Sequence, residues 1–176
     1  MTIRALALGL ILFATPAHAA DLATIDCVAG KVSAAATAKL HADVSRNMAE
    51  SGKRPSYDPA VGGSIASAAA ACGLEHNWSE AAIRAARVYT LAKLGMPVAE
   101  RVIGERGFAA ATLEERFLAL PEETRNRALT AAENQELIKA SVTEEAKQTR
   151  ENAELLAEYF AFLSAIQYAS FDFSQA

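Results

Sequence analysis

The chain has 176 residues with 17 basic and 21 acidic side chains and a formal net charge of −4. That balance leaves no basic stripe with which to release counterions from nucleic acid or to hold an anionic lipid surface. Alanine is abundant, β-branched runs are scarce and glycine and proline fall mostly at segment ends, which points to an all-α fold.

The first 20 residues read as a cleaved secretory signal. Arg4 supplies a positive start, Ala5 to Ala14 form an apolar run, and Ala17-His18-Ala19 is a small-x-small cleavage signal. Ten apolar residues are too few for a membrane-spanning helix, which needs about 20. Thr24-Ile25-Asp26 before Cys27 is no lipoprotein signal, and there is no twin arginine. The reading is therefore a periplasmic or secreted protein with a cut after Ala19 or Ala20. Residues 21–176 are expected to form a single helical domain, about 156 residues and enough for one buried core. No later segment is apolar enough to suggest a membrane span.

Leu22 to Ala29 can form a short helix ending at Gly30. Ser33 then caps a second, with Leu40, Val44 and Met48 on one narrow seam. Asp58-Pro59 is a strong helix start, aspartate at the N-cap and proline at the first helical position. Val61, Ile65, Ala68 and Cys72 follow at helical spacing, and Gly73-Leu74 fits a Schellman ending. Gly62, Gly63 and the alanines make this helix thin, so neighbours are expected to approach closely.

Ser79 caps the central helix, with Trp78 and Ile83 placed to staple its start. Gly95 suits its C-terminal cap and Pro97 should end it, leaving a separate short helix up to Gly107. Thr112 with Glu115 and Ser141 with Glu144 read as two capping boxes, the second opening the last and longest helix. Pro121 starts another segment. Thr143 to Glu154 is polar on nearly every face, after which Leu155, Tyr159, Phe162 and Ile166 make one buried stripe. The expected architecture is a compact bundle of about six helices with a long C-terminal helix.

Cys27 and Cys72, the two cysteines, are expected to form one disulfide, the ordinary state of a thiol pair after export. A Cys2His2 metal site with His41 and His76 lacks the tight ligand spacing of such sites. Without C-x-x-C-H there is no c-type haem attachment either. No metal and no cofactor are expected. Glu75, His76 and Trp78 form a weak alternative site, a histidine beside a carboxylate in a cap loop. The pairs Glu114-Glu115, Glu122-Glu123 and Glu144-Glu145 fall in expected first helical turns, where negative charge favours the helix dipole. No catalytic motif with a nucleophile, a base and an orienting partner is found.

Aromatics are the uneven feature, since six of the eleven beyond residue 20 lie between Tyr159 and Phe173. Phe160 and Tyr168 fall off the stripe and Phe171 and Phe173 lie in the tail. Together they are a possible binding surface for an unknown protein or a small apolar ligand. The function expected is a non-catalytic binding or interaction module of the cell envelope. The alternatives are a small periplasmic enzyme acting near Glu75, His76 and Trp78, or a haem or metal carrier.

Overall fold

A computed structural model describes residues 19–176, so all but the last two alanines of the leader reading lie outside the described residues. The chain is all-α: α1 (Cys27–Lys31), α2 (Ala34–Ala49), α3 (Pro59–His76), α4 (Glu80–Glu105), α5 (Ala110–Leu118), α6 (Glu122–Arg125), α7 (Ala131–Ser141) and α8 (Arg150–Gln175). Leu22–Thr24 and Glu145–Lys147 form single 3-10 turns, and no strand occurs among the described residues. Eight described helices stand where about six were expected, α1 and α6 among them being little more than single turns. No described helix is long and apolar enough to cross a membrane.

Three starts follow the sequence chemistry directly. The Ser33 hydroxyl accepts from Ala36 N at 3.2 Å, Asp58 accepts from Ala60 N at 2.8 Å, and Ser79 accepts from Ala82 N at 3.0 Å. Each satisfies an amide that the helix itself leaves without a partner.

Two starts differ from expectation. α5 begins at Ala110, ahead of Thr112, whose amide bonds back to Ala109 O, so no box forms there. Ser141 closes α7 instead of opening α8, because its hydroxyl donates to Leu137 O one turn back at 2.7 Å. The box that forms is Thr130 with Glu133, opening α7, and Thr149 caps α8 through Asn152 N. Residues 142–149 are thus a connector.

Two endings also move, and both for packing. Gly73 lies inside α3, which runs on to His76 and turns at Asn77 (φ 55°). A Cβ at Gly73 would stand 2.5 Å from Ile83 Cδ1, so the glycine seats α4 against α3. Its carbonyl still takes the Schellman-type bond, from Trp78 N at 2.9 Å. Gly95 and Pro97 lie within α4, which continues to Glu105. A Cβ at Gly95 would stand 2.8 Å from Phe162 Cε1 and 3.2 Å from Val44 Cγ2, so α2, α4 and α8 meet there. Pro97 has no N–H to donate and crowds the preceding turn. In that turn His41 donates from Nε2 to Leu94 O at 3.0 Å, the carbonyl requiring the hydrogen on that nitrogen. Packing and this bond carry the helix past a residue that would end it in isolation.

The largest interhelical interface is that of α4 with α8. The two run antiparallel: Trp78, just before α4, meets Phe173 edge-to-face at 4.9 Å, while Gly95 further along meets Phe162. α2 and α3 complete the surroundings of α4, and α7 lies on α8. Leu40, Val44, Val61, Ala86, Ile103, Leu156, Phe160 and Phe173 are almost completely enclosed.

Cys27 and Cys72 are joined, their Cα atoms 6.1 Å apart, tying α1 to α3. The bond closes a loop with a sequence separation of 45, for which restricting the unfolded chain contributes about 4 kcal/mol. Replacing both cysteines by alanine should lower unfolding free energy by about that amount in chemical denaturation; an unchanged midpoint would contradict it. Gly95→Ala should cost about 1–3 kcal/mol, as overpacking does. A stabilised variant would show instead that Phe162 and Val44 can retreat freely.

Candidate functional site

A strongly apolar groove of about 540 Å³ lies between α3 and α8 with α4 as its floor, and a second apolar groove, of about 510 Å³, runs along α7 beside the end of α5. Helical periodicity assembles the first. Gly62 and Ile65 lie three apart on α3, Arg84, Arg87, Val88, Leu91 and Ala92 share one face of α4, and Glu158, Ala161, Phe162 and Ala165 share one face of α8. Ile65, Ala92 and Phe162 are buried at its base, and Val88 is 38% exposed at its lip. Small residues keep it open. A Cβ on Gly62 or on Gly63 would meet nothing within 4 Å. Neighbours therefore do not close on the thin helix at these two glycines; they close on it at Gly73.

The groove has two chemically different ends. At one, Arg84 and Arg87 lie one turn apart. Arg84 makes only a loose, exposed pair with Glu80 at 3.8 Å, and no described carboxylate pairs with Arg87. At the other, Tyr57 donates to Glu158 Oε1 at 3.4 Å. Burial against the apolar wall pushes the Glu158 carboxyl above its usual range, an effect the bond from Tyr57 opposes. The Tyr57 phenol is pushed up strongly by the same burial and by the charge of Glu158.

Tyr57 lies in the connector between α2 and α3, and this connector is fastened to α2 and α8. Asp43, 5% exposed, accepts from Asp58 N at 2.7 Å and pairs with Arg46 at 2.6 Å. Arg46 and Asn47 both donate to Ser56 O, at 2.8 and 3.0 Å. Further back, Ser51 Oγ and Gly52 N donate to Glu154. Those bonds and the Arg150 guanidinium hold that carboxyl at about 2. The connector between α2 and α3 is therefore fastened on both sides of the tyrosine.

The sites expected from sequence fare differently. Glu75, His76 and Trp78 are together: His76 stacks on Trp78 with ring centres 5.5 Å apart and lies 3.9 Å from Glu75. Each is already engaged, Glu75 by Lys31 at 2.9 Å and Trp78 by donation from Nε1 to Thr24 Oγ1 at 3.1 Å. Trp78 is a buried anchor whose ring meets Phe173 edge-to-face, and Ile83 rests on Gly73. Cys27, Glu75 and His76 converge within 4.8 Å, but the Cys27 sulfur is committed to the disulfide and is no thiolate ligand. His41 is engaged elsewhere, on Leu94 O.

The C-terminal aromatic surface is dispersed. Phe160 and Phe173 are fully enclosed, Tyr168 is half-buried, and Phe171 is 38% exposed beside Glu122, Glu123 and Asn126. The reason is that α8 is covered on a second side by α7, α5 and α6 besides α4. Phe160 and Phe173 therefore belong to the core.

The groove residues went unmarked because each is ordinary alone. The signals present were consecutive glycines inside a helix, a pair of alanines at i, i+4 on α8, and two arginines three apart. The chain matches no protein-family model, no curated protein and no solved structure significantly, so its function rests on this geometry.

The sign of one pH effect follows from Glu158. Its carboxyl titrates above its unfolded value near 4.5, so its favourable contribution is complete below that value and is lost as pH rises through the folded one. Glu158→Gln, neutral at every pH, should therefore unfold at a higher temperature than the parent at about pH 7.5, with the gap closing by about pH 4. A gap independent of pH, or a variant less stable at the higher pH, would contradict this assignment.

Proposed function

We propose that the protein is a non-catalytic binding module of the cell envelope whose ligand lies in the groove between α3, α4 and α8. The observation that carries this reading is the open, apolar floor beneath Gly62, Ala161 and Ala165. Its volume of about 540 Å³ falls within the range of about 300–1,000 Å³ typical of small-molecule sites. A groove of this kind, with charged or hydrogen-bonding groups confined to its ends, suits an apolar ligand oriented by those ends. Export is supported by the leader-like residues 1–20, and the disulfide is compatible with an oxidising compartment. An enzyme acting near Glu75, His76 and Trp78 has weaker support, because Lys31 and Thr24 already occupy two of the three side chains.

The test is binding of an environment-sensitive apolar dye such as N-phenylnaphthylamine. The parent protein should enhance its fluorescence saturably. Ala161→Trp, which places a large ring on an exposed position of the groove wall, should weaken binding by at least about tenfold while thermal unfolding stays cooperative. Phe171→Ser should leave dye binding intact. Equal binding by the parent and Ala161→Trp, or loss of binding in Phe171→Ser alone, would place the ligand elsewhere.

A further inference from the structure

Resting on the groove as the binding site, we propose that its ligand is a long-chain fatty acid, held by its carboxylate on Arg84 and Arg87. The two ends of the groove set the orientation. Arg84 and Arg87 stand one helical turn apart at one end, the first only loosely paired and the second without a described carboxylate partner. A carboxylate between two guanidinium groups gains charge-assisted, fork-shaped hydrogen bonds that no group of the protein competes for strongly. The other end carries the Glu158 carboxyl, which repels an anionic head and leaves that end to the tail.

Between the ends the lining is almost wholly apolar, with Leu91 below and Ala161 and Gly62 on the two walls. Gly62 is the glycine of the groove wall. Glycine weakens a helix relative to alanine, and nothing of the protein lies within 4 Å of where its Cβ would be, as is also true of Gly63 outside the groove. A chain lying against that bare backbone gives the missing side chain a use. The groove volume of about 540 Å³ suits one acyl chain better than the paired chains of a diacyl lipid.

The discriminating experiment is displacement of the bound dye by myristate, myristyl alcohol and myristoyl lysophosphatidylglycerol at concentrations below micelle formation. Myristate should displace the dye at least about tenfold better than the alcohol, the low end for hydrogen bonds to a charged group. The double substitution Arg84→Gln with Arg87→Gln, at two exposed positions, should abolish that advantage without changing thermal unfolding. Lengthening the acid by one methylene should tighten binding by about three- to fourfold until the groove is filled. If acid and alcohol bind equally and the double substitution changes neither, the carboxylate assignment falls while the groove remains the binding site. If none of the amphiphiles displaces the dye, or Ala161→Trp leaves their binding unchanged, the groove reading itself falls, and this inference with it. Tighter binding of the lysophospholipid than of myristate would overturn the fatty-acid assignment in favour of a membrane lipid.

Discussion

Three helices meet at Gly95, where a helix without a side chain receives the ring of Phe162 on one side and Val44 on the other. Much of the architecture depends on this contact. It lets α4 and α8 lie along one another over most of their length, and it brings α2 onto the same turn. Pro97 falls two residues further on, where an isolated helix would break. The packing of three helices and the hydrogen bond from His41 to Leu94 O hold the two halves of α4 in register. The long, continuous floor of the groove exists because α4 does not end there.

Once α4 is fixed between α2 and α8, α3 is placed by Gly73 against Ile83 and by the disulfide to α1. α3 and α8 then flank α4 without meeting over its exposed face. A chain selected for stability alone would fill such a space with leucine or phenylalanine, since apolar burial contributes about 25 cal/mol for each Å². Here the space is bordered by Gly62, Ala161 and Ala165. Positions where local rules are broken without a packing reason are where function is expected to reside. The connector carrying Tyr57 strengthens the point, since Asp43, Arg46 and Asn47 fasten it through several hydrogen bonds.

Three helix starts were legible because N-caps are local: Ser33, Asp58 and Ser79 act within three residues of themselves. The disulfide was legible because two cysteines leave one pairing. Gly73, Gly95 and Pro97 misled because their meaning is set by Ile83, Phe162 and His41, which lie on other parts of the chain. Ser141 misled because a hydroxyl can bond backward as well as forward, and Thr130 with Glu133 was passed over beside it. Phe160 and Phe173 looked like surface only on the assumption that α8 packs on one side. The groove was the least legible feature, being left by small residues on α3 and α8 rather than made by any motif.

The most direct test of the account is where a fatty acid settles on the protein in solution. In an amide-resolved NMR titration with myristate, the largest shifts should fall on Gly62, Val88, Leu91, Ala161 and Ala165, with intermolecular NOEs from the acyl chain to the Val88 and Leu91 methyl groups. Shifts concentrated instead around Glu75, His76 and Trp78, or around Phe171, would contradict the central claim that the space between α3, α4 and α8 is the functional site.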